Sequence, residues 1–254
     1  MSVQDPIQRL SLGQFADRFK SEMIPLGNRF CYFCAAVSLG EDDLKEYLDE
    51  PVAALPPVIS ARLPRIRILL VPYLEHEPGT GKSSGEALVS VEKPHAGQAL
   101  SSGVLVNGEE AVLGFAIKDA EVADYHYRFY HTIAGIVAGA QGEGVPQEYL
   151  ALLRHELRAN AHGEVDEPSW TIKTALTGAD RGGTRTTKRF RAYARASFID
   201  TLTLYLHGIC CDIDVETGPR QLASHLLRKR LRALAAVYPP PDGYAVLPEG
   251  HDKK

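Results

Sequence analysis

Histidines and carboxylates gather in one part of this chain, and their types and spacing are the first sign of possible chemistry. His155 and Glu156 are adjacent, His162 and Glu164 follow, and His131 lies upstream. Imidazole nitrogens and carboxylate oxygens are ordinary ligands of zinc, and a nearby carboxylate can act as a base toward metal-bound water. Seven-residue steps from carboxylate to histidine recur at Asp124 and His131, Glu148 and His155, and Asp200 and His207. Such a step covers about 10.5 Å along a helix axis, too far for one ion without help from another element. Ligands from two helices can converge, so His131, Glu156 and His155 form a candidate metal set, with His162 as a further imidazole and Glu164 as a candidate base.

Other reactive residue types occur in less telling patterns. His76-Glu77-Pro78-Gly79-Thr80-Gly81-Lys82-Ser83 is similar to the phosphate-binding loop of AAA-type ATPases. That loop needs a glycine where His76 stands and a helix directly after Ser83. Gly85 and the strand-like Ala87-Leu88-Val89-Ser90-Val91 follow instead, as expected of an ordinary glycine-rich loop. The cysteines form two close pairs, Cys31 with Cys34 and Cys210 with Cys211. Adjacent cysteines chelate poorly, and Cys31 lies in an apolar stretch, so buried thiols are expected. Basic residues cluster at Arg181, Arg185, Lys188, Arg189, Arg191 and Arg195, and again at Arg228, Lys229, Arg230 and Arg232. No aromatic platform accompanies them and the chain is acidic overall, so they are expected to form a solvated face or a partner surface rather than a nucleic-acid site. The acidic run 212–218 lacks EF-hand spacing and is expected to be a connecting loop.

The elements that must position these residues follow from pattern and composition. The chain has 254 residues, 44% hydrophobic and 24% charged, with a formal charge of −4. This balance supports a buried core and excludes collagen-like, disordered and histone-like classes. No basic and apolar leader is visible, and no run approaches the roughly 18 to 20 apolar residues of a membrane helix, so a cytoplasmic location without membrane contact is expected. Short helices are predicted over 11–23, capped by Ser11, and over 41–48, with Pro51, Pro56 and Pro57 as breaks. Strands are predicted over 65–73 and 86–91, followed by a hairpin of 103–106 with 110–117 that turns at Asn107-Gly108. Loops are expected over 77–85 and 93–103. Beyond Asp119 the apolar period becomes helical, predicting helices over 122–139, 146–162, 185–210 and 219–237. Strands first and helices afterward make an α+β fold, with a small, mostly antiparallel sheet followed by a helical half.

Two of those helices carry a resemblance. Phe129-Tyr130-His131-Thr132-Ile133-Ala134-Gly135-Ile136-Val137-Ala138-Gly139 resembles the active-site helix of zincin metallopeptidases, where a phrase such as H-E-I-A-H precedes small and apolar residues. His155-Glu156-Leu157-Arg158-Ala159-Asn160 resembles the glutamate helix of gluzincins, most closely the E-E-x-R-A-D/E phrase of dipeptidyl peptidase III-like enzymes. The resemblance covers roughly residues 104 to 170 and implies a zincin-like fold, with His131 as the first histidine ligand of a zinc and Glu156 as its glutamate ligand. At the other two positions the chain departs from the motif: Thr132 stands at the general-base glutamate and Gly135 at the second histidine. A threonine cannot serve as a carboxylate base, and a glycine has no ligand atom. The expected organisation is an N-terminal helical extension over 1–64, a zincin-like domain over 65–237 and a tail over 238–254. The expected function is a zincin-like protein with a degenerate motif, without catalysis, binding a peptide or protein and holding either no cofactor or zinc. Two alternatives stand beside it: a metal-dependent hydrolase or peptidase using His131, His155 and Glu156, and a helical di-iron-type oxidoreductase. The usual Glu-x-x-His pairs of the latter place ligands on adjacent turns, closer than the seven-residue steps here.

Overall fold

A computed structural model describes residues 9–77, 86–139, 144–178, 180, 186–211 and 222–246. The chain divides into two compact units, residues 1–52 with 63–128, and residues 53–62 with 129–254. The architecture is α+β, with a mixed sheet early in the chain and a helical half after it.

In the first unit Ser11 starts helix α1 (Leu12–Arg18). Its hydroxyl accepts from the Gln14 amide while the Gln14 side chain accepts from the Ser11 amide, which satisfies two donors at the helix start. The helix ends at Arg18 rather than at Met23, and the chain passes through a short 3-10 turn, Lys20–Glu22. Strands β1 (Ile24–Pro25), β2 (Phe30–Cys34), β3 (Arg65–Val71), β4 (Tyr73–His76), β5 (Ala87–Ser90), β6 (Ala99–Leu100), β7 (Ser102–Asn107) and β8 (Glu110–Ala116) follow. They form a five-stranded sheet in the order β1-β2-β3-β8-β7 and a three-stranded sheet in the order β5-β4-β6. The smaller sheet and both flanks of the larger are antiparallel, whereas β2, β3 and β8 at its centre are parallel. The reason is visible in β3, where Ile66 through Val71 are all buried: a strand covered on both faces loses the alternation of a half-exposed one.

Pro72 splits the single strand expected over 65–73 into β3 and β4, which belong to different sheets. Residues 24–34 supply two strands where only helical pieces were expected. The hairpin forms as predicted, but its register pairs Asn107 with Glu110, so the two-residue loop is Gly108-Glu109, with Gly108 at φ +61°. Helix α1 lies close on this sheet because Gly103 and Gly114, paired across β7 and β8, leave room for Leu12. Leu12, Phe15 and Ala16 join Leu69, Val71, Leu74, Val89 and Val112 in an apolar core.

Helices α2 (Glu41–Leu44) and α3 (Glu50–Ala53) are joined by a π-helical turn, Lys45–Asp49, and Pro51, which has no N–H to donate, follows just after that turn. Helix α4 (Pro57–Arg62) belongs to the second unit. Helix α5 (Val122–Gly139) contains the division, between Arg128 and Phe129. Helix α6 (Gln147–Arg158) stops short of His162, with Asn160 at φ +51° just beyond its end. Helix α7 (Glu167–Thr174) is absent from the sequence expectation; Asp166 caps it by accepting from the Glu167 amide at 2.6 Å. Helices α8 (Lys188–Cys211) and α9 (Ser224–Val237) complete the unit, and α6, α7 and α9 pack on α8, which carries buried residues along its whole length. Among the described residues no helix is long and apolar enough to cross a membrane. The glycine-rich loop over 78–85, Arg181, Arg185, the acidic run 212–218 and residues 247–254 lie outside the described residues.

Candidate functional site

Four charged side chains meet in the interior of the second unit. Arg230 and Glu164 are 0% exposed, Glu156 1% and Lys173 2%. Helical periodicity puts two of them there. On α9, Leu227, Leu231 and Leu234 form the buried stripe, and Arg230 falls within it at three residues from Leu227. On α6, Tyr149, Leu152, Leu153 and Leu157 form the stripe that includes Glu156. Glu164 comes from the extended segment after α6, Lys173 from α7, and Tyr193, Ser197 and Thr201 from successive turns of one face of α8.

Arg230 is the hub. Its Nε donates to Glu156 at 3.1 Å to Oε2, and Nη2 donates to the same oxygen at 2.6 Å. Nη2 also donates to Glu164 Oε1 at 2.9 Å, and Nη1 to Glu164 Oε2 at 2.7 Å and to Ser197 Oγ at 2.9 Å. A guanidinium has five N–H donors, and this arrangement provides an acceptor for each. Lys173 Nζ lies 3.2 Å from Glu164 Oε1 and donates to the Gly163 carbonyl at 2.7 Å, while the Tyr193 hydroxyl donates to Glu164 at 2.5 Å. The Tyr149 hydroxyl lies 2.6 Å from Thr201 Oγ1, which itself donates to the Ser197 carbonyl. Two cations face two carboxylates, so the cluster is neutral within itself. That neutrality, with the donors satisfied, is what permits ions so far from water.

The electrostatics follow the same geometry. Burial alone would raise the Glu164 carboxyl, but Arg230, Lys173 and Tyr193 outweigh it and hold it down at about 2. Burial lowers Lys173, with Glu164 opposing. Burial works against the charge of Arg230, and Tyr149 with Glu164 and Glu156 more than offsets this. Asp200, on α8 and 2% exposed, accepts from the Ser169 amide in α7 at 3.2 Å; burial, with Asp166 and Glu164 adding, raises it to about 6 against the opposing hydrogen bond from Ser169.

The candidate residues separate between this interior and the surface. Glu156 and Glu164 enter the ion cluster, while His155 and His162 are exposed. Neighbouring residues on a helix point about 100° apart, so a buried Glu156 turns His155 outward. His131 is half-buried on α5, with Nδ1 3.5 Å from Thr203 Oγ1, and burial lowers its pKa against the opposing charge of Asp166. Thr132 is half-buried too, and a Cβ at Gly135 would meet no atom within 4 Å. Among the described residues, His131, His155, His162 and Glu156 do not bring ligand atoms together at one point. The donor set therefore does not fit a zinc held through Glu156, whose carboxylate takes three of its hydrogen-bond contacts from Arg230. Glu164 does not fit a general base either, because both its oxygens accept from Arg230 and, further, from Tyr193 and Ser197.

Sequence reasoning missed Arg230 as a site residue, although a signal existed. A cation at a position of the apolar period of α9 must be buried or break the helix face, and Glu156 stands in the same situation on α6. The basic run 228–232 is thus not uniformly solvated: Lys229 and Arg232 are exposed and Arg230 is not. Farther along, Lys188, Arg189, Arg191 and Arg195 are exposed on α8, beside Arg154, which bonds Thr186 and lies over the Phe190 ring. Comparison with known proteins identifies no relative: no family model, curated protein or solved structure matches the chain.

Proposed function

We propose that this chain is a non-catalytic binding protein, built on a zincin-like scaffold, in which an internal guanidinium stands where the resemblance places a metal ion. The observation that supports this reading is the engagement of Glu156 by Arg230 in a neutral, water-excluded cluster. A carboxylate so held offers its lone pairs to N–H donors, and a cation entering there would have to displace a fully hydrogen-bonded arginine. Binding then falls to the outside of the second unit. The exposed Lys188, Arg189, Arg191 and Arg195 have no acid between them in the sequence, so the partner we propose is an acidic peptide or protein segment.

The test has two arms. Zinc content and hydrolysis of a mixed fluorogenic peptide library are measured for the natural chain and for His131→Ala; the expected result is no hydrolysis and the same zinc content in both. One equivalent of zinc that disappears with His131→Ala, accompanied by peptide cleavage, would overturn the reading in favour of a hydrolase. In the second arm, fluorescence anisotropy with a labelled glutamate-rich peptide is expected to register binding that weakens at least tenfold in Arg189→Glu/Arg191→Glu and stays unchanged in His131→Ala. Binding lost with His131→Ala and kept in the charge-reversed variant would place the contact elsewhere.

A further inference from the structure

His207 and Cys211 lie near the end of α8, outside the ion cluster. They are four residues apart, so their side chains stand on one helix face, one turn above the other. A ring nitrogen of His207 and the Cys211 sulfur lie within 4.8 Å of each other. At zinc-like bond lengths of roughly 2.3 Å to sulfur and 2.0 Å to nitrogen, two donors sharing one ion stand about 3.5 Å apart at a tetrahedral angle and about 4.3 Å apart in a linear arrangement. The pair therefore meets the spacing of a shared ion directly or with a small rotation of the thiol.

We infer that His207 and Cys211 bind a soft, thiophilic cation of the monovalent copper class. Imidazole with thiolate is a borderline-to-soft donor set, unlike the oxygen-rich sets that hold magnesium or calcium. Thiolate is a ligand type that selects monovalent copper, and a filled-shell monovalent ion is satisfied by two donors in line. The surroundings suit this. His207 is 7% exposed and its ring packs against Tyr130, with centroids 6.1 Å apart, which limits its reorientation. Cys211 is only half-buried, so an ion can arrive from solvent. On binding, the Cys211 thiol gives its proton to solvent as the sulfur–metal bond forms, and His207 ligates as the neutral imidazole, with no change of oxidation state.

Cys210 supplies the discriminating comparison. It is the neighbour of Cys211, equally half-buried, and turned about 100° away on the helix. Monovalent copper held as its coloured bicinchoninate complex is titrated anaerobically with the natural chain, Cys210→Ser, Cys211→Ser and His207→Gln, each first checked for unchanged circular dichroism. Cys31 and Cys34 contribute equally to all four proteins. The expected result is one equivalent withdrawn by the natural chain and by Cys210→Ser with matching affinity, and at least a tenfold loss of affinity in Cys211→Ser and His207→Gln. No copper withdrawn by the natural chain, equal affinity in all four proteins, or a loss confined to Cys210→Ser would each overturn the assignment. Should His207→Gln fail to fold, the contrast between Cys210→Ser and Cys211→Ser decides alone.

Discussion

The two units of this chain are held together by opposite means. In the first, α1 sits on the sheet through an apolar cluster in which Leu12 fits against two glycines, with polar contacts at its exposed start and one near its end, where Asp17 accepts from the buried Arg67 of β3 at 3.2 Å. In the second, the helices meet around two buried cations and two buried carboxylates. An apolar core degrades in proportion to what is removed, because each methyl contributes separately. An ionic core is conditional: each member is tolerable only while its partners remain.

The largest effect should therefore follow loss of one partner in the ion cluster. Arg230→Ala leaves Glu156 and Glu164 buried without their main counter-charge and should destabilise the second unit by about 3–5 kcal/mol. The chain has 1 tryptophan, Trp170, which lies in α7, so urea unfolding followed by its fluorescence reports on this unit. Replacing the set together, as Arg230→Met, Glu156→Leu, Glu164→Leu and Lys173→Met, should recover most of that loss, since no unpaired ion remains. If Arg230→Ala costs less than about 1 kcal/mol, water reaches the cluster and the contrast between the two units fails.

The same contrast explains what could be foreseen from the sequence. The hairpin was legible because Asn107 and Gly108 carry their turn preference locally, and α5 because its apolar residues repeat at helical spacing. The parallel centre of the sheet was not, since β2 and β3 pair only after the chain has passed through α2, α3 and α4. Helix α7, with Pro168 near its start and few apolar residues, has too weak a period to announce itself. In the candidate site, the placement of Arg230 and Glu156 on apolar faces could have been noticed. Their pairing could not: Arg230 reaches Glu156 across 74 residues and Glu164 across 66, separations about which local pattern is silent.

A buried acid raised by its surroundings sharpens the comparison through pH. Asp200 is raised to about 6 in the folded chain, chiefly by burial, above the ordinary aspartate value of 3.8. A carboxyl with a raised folded value contributes stability in its protonated form, present in full below the unfolded value and lost as pH rises through about 6. Ionised Asp200 thus lowers stability at pH 7 by up to about 3 kcal/mol. Asp200→Asn should stabilise the second unit at pH 7, match the natural chain near pH 4, and flatten the slope between them. Glu164 acts in the opposite sense, because its lowered value gives stability above about 4.5 that disappears as pH falls toward 2. Trp170 unfolding midpoints from pH 4 to 8 check this, and a slope unchanged by Asp200→Asn would show that another group titrates.

In the first unit the corresponding perturbation is one of shape. A Cβ on Gly114 would collide with Leu12 Cδ2, so Gly114→Ala should cost about 1–3 kcal/mol through overpacking. Leu12→Ala removes the obstructing methyls, and adding Gly114→Ala to it should cost little more than Leu12→Ala alone. Such non-additivity between touching residues is the signature of a steric rather than a polar conflict. Hydrogen exchange of the α1 segment measures both, and additive losses would mean that the fit between Leu12 and Gly114 is not what seats the helix.

The smallest effect belongs to the start of α1. Ser11→Ala removes the hydroxyl that accepts from Gln14 at 3.4 Å, a long bond at an exposed cap, and should cost about 0.5–1 kcal/mol. Gln14 still accepts from the backbone of residue 11, at 3.2 Å, so half of the reciprocal cap survives. The loss should show as a lower protection factor in the first turn of α1, equal at pH 6 and pH 8 after the intrinsic pH dependence of amide exchange is divided out, because no titrating group takes part in either bond. A cost above about 2 kcal/mol would break the comparison, for it would make seating of the apolar core depend on a polar contact, as the ion cluster does in the second unit. A small, pH-independent cost keeps the division: the polar groups at the start of α1 trim the end of a helix that its apolar face has already placed.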